Sequence, residues 1–188
     1  MSRYLSGLLA LMLLALAAGA ARADEYTDTI SIFKNAGQSA DFFDNSYGYA
    51  VFPTVGKAGF IVGGSHGDGR VYKQGAYVGD ASVTQVTAGL QAGGQAFSQI
   101  VFFQDQRAFN EFTSGSYEFG AQMQATAITA SASAQTSTGG SSASASGGKK
   151  DAATAGRYEK GFAVFTVAKG GLMYEASVGG QKFKYKPK

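Results

Sequence analysis

The chain of 188 residues has no cysteine, no tryptophan, two prolines and one histidine, His66. The absence of cysteine excludes a disulfide framework, a thiol nucleophile, a thiolate zinc site and a cysteine-linked lipid anchor. A single imidazole excludes any site that needs two of them, such as the HExxH zinc motif. These absences exclude thiolate and histidine-rich metal sites, and we expect neither a metal site nor a cofactor.

The chain also lacks a large excess of charge of either sign, because it has 16 basic and 13 acidic residues. Two of the basic residues, Arg3 and Arg22, lie in an N-terminal stretch that holds no acidic residue, so the remainder has 14 basic and 13 acidic residues. This balance excludes a protein that coats nucleic acid by bulk charge. Apolar residues make up 45% of the chain, which is enough to build the packed core of one domain.

The first 23 residues have the pattern of a cleavable secretory signal peptide. A short basic region precedes the apolar run Leu5–Ala20, and Ala21-Arg22-Ala23 gives the small-x-small motif that signal peptidase reads. The apolar run is shorter than the roughly 20 residues that span a bilayer. We therefore predict cleavage before Asp24 and a periplasmic or secreted bacterial protein.

The remaining chain, Asp24–Lys188, predicts a single α+β domain dominated by a curved, mostly antiparallel β-sheet. A helical stripe of apolar residues over Tyr26–Phe43 predicts one or two amphipathic helices with a break near Gly37. Asp105 is placed to cap one short mid-chain helix, Gln106–Thr113. Short apolar or alternating runs predict the strands Tyr49–Phe52, Ala58–Val62, Ala76–Val86, Gly89–Ala96, Ile100–Phe103 and Tyr117–Ala134.

The C-terminal part contains a low-complexity segment followed by more strands. Ser131–Gly156 draws 22 of its 26 residues from Ser, Ala, Gly and Thr, and it has no bulky apolar side chain. Such a segment cannot order itself by burial, so we predict a flexible surface loop within the domain. The runs Phe162–Val167, Leu172–Val178 and Gln181–Tyr185 then predict a meander of three strands.

Motifs for catalysis are weak. The glycine-rich run Gly63–Gly69 lacks the GxGxxG spacing of a dinucleotide loop and precedes a strand, so we predict a hairpin turn with His66 at its exposed tip. Gly147-Gly-Lys149 fails the P-loop pattern because position 143 is alanine. We therefore expect no catalytic residues and no enzyme.

The helical stretch Tyr26–Phe43 is the first candidate for contact with a lipid surface. Its candidate residues are Ile32, Phe33, Lys34 and Phe43. The apolar face of this stretch either lies on a bilayer or packs on the sheet. Lys34 is its only basic residue among several acids, which disfavours attraction to anionic headgroups, so packing on the sheet is the preferred interpretation.

The C-terminal strand is the second candidate. Strand alternation places Lys182, Lys184 and Lys186 on one face, with Lys188 following, and places Phe183 and Tyr185 on the other. These lysines form a positive lysine comb that would attract an anionic membrane. The alternative is a solvated edge strand that its lysines protect from aggregation.

One stretch carries a family resemblance. Tyr47–Gly64 reads YGYAVFPTVGKAGFIVGG and closely resembles the opening signature of the SYLF domain family. The likeness continues through Gly89–Ala96, Ile100–Phe103 and Lys169–Glu175, and it spans roughly Tyr26 to Phe183. Eukaryotic members of this family bind lipid, and some bind and bundle actin. The resemblance therefore implies binding of lipid or a membrane surface without catalysis.

The resemblance also sets expectations for partners. In some eukaryotic relatives a basic N-terminal amphipathic helix meets the membrane, and of its basic residues only Lys34 has a counterpart here. An anionic lipid surface is the expected partner. Actin is not expected, because an exported bacterial protein does not ordinarily meet it, and the balance of charges already disfavours nucleic acid. The alternatives are a periplasmic structural protein that binds a protein partner, and a small outer-membrane β-barrel.

Overall fold

The computed structural model describes residues 25–59, 62–88, 95–128, 156–169 and 178–188. The predicted leader, residues 131–155 of the predicted loop and most of two predicted strands, Gly89–Ala96 and Leu172–Val178, lie outside the described residues. The described part has an α+β fold with three helices and one eight-stranded sheet, as the sequence predicts. None of its helices is long and apolar enough to cross a membrane.

The chain order of the elements differs from their order in the sheet. Helix α1 covers residues 25–35, and the other elements are α2 (Ala40–Asn45), β1 (Gly48–Gly59), β2 (Val62–Lys73), β3 (Ala76–Ala88), β4 (Gln95–Phe103), α3 (Gln106–Phe112), β5 (Ser116–Glu118), β6 (Thr126–Ile128), β7 (Phe162–Lys169) and β8 (Lys182–Pro187). Across the sheet the order is β5-β8-β3-β2-β1-β4-β7-β6. All neighbours are antiparallel except β6 and β7, which run parallel.

Strand β1 contains the predicted strand Tyr49–Phe52 and continues past Pro53 to Gly59. The predicted strand Ala58–Val62 is wrong, because Ala58 lies in β1 and Val62 begins β2. Pro53 does not end the strand, because the register with β4 shifts between Phe52 and Val55. Proline has no N–H to give to a ladder, and such an irregularity accommodates it. The Pro53 carbonyl accepts a hydrogen bond from Ser98 Oγ at 2.7 Å.

The predicted hairpin turn at Gly63–Gly69 is wrong, since this run lies inside β2. Gly67 and Gly69 face the core, where a Cβ on Gly67 would lie 2.7 Å from the Thr54 carbonyl oxygen and a Cβ on Gly69 would overlap the Phe52 ring. These glycines serve close packing and not a turn. The chain turns instead at Gln74 and Gly75, whose φ angles of 49° and 80° suit a two-residue hairpin.

The predicted C-terminal meander is also wrong. Strand β7 pairs with β4 and β6 near one edge of the sheet, whereas β8 lies between β3 and β5 near the opposite edge. The predicted strand Tyr117–Ala134 is not continuous either, because it contributes β5 at one edge and β6 at the other. Local turn residues predict hairpins, but the partner of a strand depends on side chains far away in the sequence.

Each face of the sheet has its own hydrophobic cluster. The cluster on the face towards α3 includes Phe52, Val101, Phe103, Phe112, Phe119, Phe162 and Phe183, all buried. The cluster on the opposite face includes Phe33, Tyr49, Val51, Ile100, Phe102 and Phe165. Because Phe33 of α1 is fully buried in the second cluster, the N-terminal helices pack on the sheet.

The local predictions for the helices are confirmed. Helix α1 ends before Gly37, and Ser39 Oγ in the connecting turn donates a hydrogen bond to the Phe33 carbonyl at 2.6 Å. The Asp105 carboxylate accepts a hydrogen bond from the Ala108 N–H at 2.8 Å, which caps α3.

Candidate functional site

Helices α1 and α2 cover only half of their face of the sheet. Their cluster lies over β1, β4 and β7 and reaches β2 at Tyr72 and Arg70, whereas no other described element covers the rest of β2 or the same face of β3 and β8. We call this uncovered half the open face. Its side chains come from alternate residues of the three strands: His66, Asp68 and Arg70 of β2, Asp80, Ser82, Thr84 and Val86 of β3, and Lys182, Lys184 and Lys186 of β8.

The lysine comb lies on the open face, as strand alternation predicts. Lys182, Lys184 and Lys186 are exposed. Phe183 between them is 1% exposed, and its ring centroid lies 5.0 Å from that of Phe112 and 4.9 Å from that of Phe119. The aromatic side of β8 therefore holds the strand in the core and fixes the direction of the lysines. Their role in lipid binding stays a prediction.

Strand β8 is not an edge strand over its whole length, which corrects the edge-strand alternative. Lys182 and Lys184 face Glu118 and Ser116 of β5, so β5 forms the edge beside them. Protection of an open edge therefore does not account for these two lysines.

The three lysines of the comb differ in their electrostatic surroundings. Lys182 Nζ lies 3.5 Å from the Glu118 carboxylate. Lys186 is paired in register with Asp80, whose carboxylate also accepts a hydrogen bond from the Tyr77 hydroxyl at 2.8 Å. Lys184 lies between two serines, Ser116 and Ser82, so it has no acidic neighbour directly across either strand.

Aromatic rings hold cations at the border of the open face. The Arg70 guanidinium lies 4.3 Å from the Tyr26 ring centroid and 5.1 Å from the Tyr77 ring centroid. Lys188 Nζ lies 5.3 Å from the Tyr77 centroid, which adds a fourth lysine to this end. Burial raises the pKa of Tyr26, against the smaller lowering effect of the Arg70 charge. The phenol is therefore neutral at neutral pH, and its contact with Arg70 joins α1 to β2.

The candidate residues of the N-terminal helices divide into two groups. Phe33 is fully buried, and Phe43 packs between Tyr49 and Phe102 at centroid distances of 5.1 and 4.9 Å. Ile32 is 37% exposed, and Lys34 is exposed with its Nζ 5.4 Å from the Phe43 centroid. The two phenylalanines belong to the core, so only Ile32 and Lys34 present their side chains to an approaching surface.

Groups with catalytic or metal-binding potential are few in the part of the chain that the structure describes. His66 lies on the open face and not at a turn tip, and its Nε2 is 3.8 Å from the Asp68 carboxylate. No group of three or more histidine and acidic side chains is arranged to hold a metal ion within the described ranges. Burial raises the pKa of Tyr49 and of Tyr158 to about 12, so neither phenol is ready to act as a base at neutral pH.

A small cleft lies on the other side of the sheet. Its volume is about 120 Å³, and its walls include Tyr117, Phe119, Phe162, Glu159 and Lys160. Pockets for small-molecule ligands usually have volumes of about 300 to 1,000 Å³. The cleft is therefore small for a substrate site.

Sequence reasoning missed one exposed residue of the open face. Val86 of β3 is 81% exposed. Among the described residues, the two large hydrophobic side chains that are exposed are Ile32 and Val86, and Val86 is the more exposed. Its register partner on β2 is Gly64, which has no side chain to cover it. Strand alternation from Thr84 carries the signal that places Val86 on this face, but the pairing with a glycine is visible only in the structure.

Comparison with known proteins gives one distant relative and no family. No protein-family model matches the chain. The chain is similar to Beta cell expansion factor A of Aeromonas veronii, with 25% identity over 161 residues. That alignment covers 84% of this chain and 52% of the relative, so the chain spans about half the length of the curated relative that it matches.

Proposed function

We propose that this chain is a non-enzymatic module of the SYLF type that binds anionic membrane surfaces in the cell envelope through the lysine comb of its open face. The observation that carries the proposal is the exposure of Lys182, Lys184 and Lys186 on one side of a strand whose other side is anchored by Phe183. Pairing with β3 holds the strand in the sheet, so the three lysines extend from the same side of it.

The SYLF assignment rests on the residue blocks of the sequence. The most specific block begins at Tyr47 and continues along β1, where Pro53 occupies the irregularity, and into β2, which contains Gly63 and Gly64. The distant similarity to the Aeromonas protein extends over most of the chain and supports descent from a common ancestor, at 25% identity.

The charges of the open face determine how strongly we expect the protein to bind an anionic membrane. Each lysine near an anionic membrane contributes about 1 kcal/mol of attraction. Glu118 offsets part of the charge of Lys182, and Asp80 offsets part of that of Lys186. Lys184 has serines as its cross-strand neighbours, so we expect it to contribute most of the three.

Vesicle flotation tests this proposal. Exported protein is mixed with vesicles of equal parts phosphatidylglycerol and phosphatidylcholine, and the fraction that floats is measured against lipid concentration. We expect binding that falls roughly tenfold to a hundredfold when Lys182, Lys184 and Lys186 are all changed to Gln. Salt at about 0.5 M should weaken binding similarly, because it shortens the Debye length to about 4 Å.

The matched control removes three charges elsewhere. Changing Lys34, Arg157 and Lys160 to Gln lowers the net charge equally, and these exposed residues lie off the comb. We expect this control to bind nearly as the natural protein does. Binding that survives the change of the comb but falls in the control, or no binding to any vesicle, contradicts the proposal. The second result favours the alternative of a periplasmic protein with a protein partner.

A further inference from the structure

The position of the helical layer decides how a flat membrane can approach the open face. Helix α1 stands on the same side of the sheet, and a helix rises about 10 Å above the strands that it covers. A bilayer lying flat on that side meets the helices before it meets β2. It reaches the open face only where strands extend beyond the helices or lie far from them.

The register locates the start of the described part of α1 along the strands. The Glu25 carboxylate accepts a hydrogen bond from Thr54 Oγ1 at 3.0 Å and lies 3.5 Å from Lys169 Nζ. Lys169 is aligned across β4, β1 and β2 with Thr84 of β3 through Ala96, Gly56 and His66. The helical layer is therefore anchored at the level of Thr84.

From that level the helices run towards the opposite end of the strands. Phe43 of α2 packs on Tyr49, which is aligned with Tyr72 close to the turn between β2 and β3. Val86 lies on the other side of Thr84, two residues or about 7 Å further along β3. The end of β3 that carries Val86 thus extends beyond the described helices.

Val86 also lies beside the lysine comb. The comb starts at Lys182, which is paired with Thr84, so Val86 and Lys182 are diagonal neighbours about 7 to 8 Å apart. Pairing with β8 begins at Thr84, and the partner on β2 is Gly64, so no side chain of either strand covers Val86. An exposed apolar side chain next to lysines is the combination that interfacial binding uses, because the apolar group enters the acyl boundary while the cations meet the headgroups.

We infer that this protein meets an anionic bilayer with the end of β3 that carries Val86, with Lys182 and Lys184 in the headgroup layer and with α2 and the C-terminal part of α1 on the side away from the membrane. The inference rests on the proposed function and adds the orientation to it. It also explains why the acidic surface of α2 need not oppose binding, since in this orientation Asp41 and Asp44 lie at the end of the strands away from the headgroups.

The chain has no tryptophan, so a single introduced tryptophan reports its own position without background. Val86→Trp and Ile32→Trp are made separately in exported protein. Each is titrated with vesicles of phosphatidylglycerol and phosphatidylcholine, with and without bromine on the acyl chains. We expect the emission of Val86→Trp to shift to shorter wavelength and to be quenched by the brominated lipid. The emission of Ile32→Trp should stay unchanged while the protein floats with the vesicles.

Serine variants at the same two positions are the control for a change in membrane binding that the introduced tryptophan itself causes. Val86→Ser should weaken flotation about fivefold, and high salt should not abolish this difference because apolar insertion is not screened. Ile32→Ser should bind as the natural protein does. If Ile32→Trp is the variant that shifts and is quenched while flotation persists, the orientation is wrong and membrane binding stands. If neither the variants nor the natural protein float with the vesicles, the proposed function is wrong and the orientation is wrong with it.

Discussion

At the scale of single residues, the entry into β8 depends on buried amides. Gln99 of β4 and Gln181, just before β8, are both fully buried and donate to each other, with Nε2–Oε1 distances of 2.8 and 3.0 Å. Gln85 of β3 donates from Nε2 to the Gly179 carbonyl at 2.9 Å. A buried amide needs its partner, because desolvation without a hydrogen bond is unfavourable. These bonds fix the point from which the lysine comb starts.

The pair Gln99 and Gln181 predicts a non-additive response to mutation. Gln99→Leu alone leaves the Gln181 amide buried without its partner and should lower the free energy of unfolding by about 1 to 3 kcal/mol. The double change to leucine removes both polar groups and should cost less than the sum of the single changes, by at least about 1 kcal/mol. Urea unfolding of the natural protein, both single variants and the double variant measures this coupling. Additive losses would show that the two amides do not depend on each other.

The amide pair also marks what the sequence leaves undetermined. Gln99 lies in a strand that is buried on both faces, where alternation gives no sign of a polar partner, and that partner is 82 residues away. Asp105 is the opposite case, because a cap acts on the N–H three residues later and can be read locally. The lysine comb is likewise local, since Phe183 and its neighbours alternate within one strand.

At the scale of elements, the same distinction separates confirmed predictions from wrong ones. The amphipathic stripe of α1 and the break near Gly37 depend on residues within two turns, and both are confirmed. The pairing of β8 with β3 depends on the fit of Phe183 against Phe52, whose ring centroids lie 5.7 Å apart. No local pattern contains that contact, so the turn residues Gly179-Gly180 gave no indication that β8 pairs with β3.

Strand β2 shows how glycine misleads at this scale. Glycine-rich runs usually indicate turns, but Gly67 and Gly69 alternate with the exposed His66 and Asp68, which is the period of a strand. The inward positions are glycine because Phe52 and Val55 of β1 fill the space where a Cβ would lie. The composition suggested a turn, and the alternation of polar residues was the better signal.

The glycine positions of β2 predict opposite results for two similar substitutions. Gly69→Ala places a methyl group against the Phe52 ring and should lower the free energy of unfolding by about 1 to 3 kcal/mol. Gly64→Ala is the matched control, because its nearest new contact is the Gln85 carbonyl oxygen at 3.6 Å and the position is exposed. Chemical unfolding followed by circular dichroism compares the two. Equal stability of both variants would mean that the Phe52 ring moves aside at little cost.

At the scale of the whole molecule, the two buried clusters stabilise the sheet, and the open face is the part of the sheet that can contact another surface. The cluster towards α3 takes residues from β1, β2, β3, β4, β7 and β8 and ties the sheet together. The cluster under α1 and α2 covers only the strands around β4. The polar open face is therefore not required to cover a core on its own side, so its lysines and Val86 are free to meet another surface.

The last prediction concerns the connection between β6 and β7. Ile128 of β6 is paired with Val167 of β7, and Gly156 lies against the ring of Phe165, two residues along the same strand. Deleting Thr136–Ala153 leaves nine residues between Ile128 and Gly156, which reach at most about 30 Å when extended and so span neighbouring positions easily. The deleted residues contain no bulky apolar side chain, so their removal takes nothing from either cluster. Shortening the connection lowers the entropic cost of closing it by about 1 kcal/mol. The free energy of unfolding should therefore stay equal or rise by that amount. Urea unfolding of the natural protein and of the deletion variant measures the difference, and a loss of several kcal/mol would show that the segment is part of the packed structure.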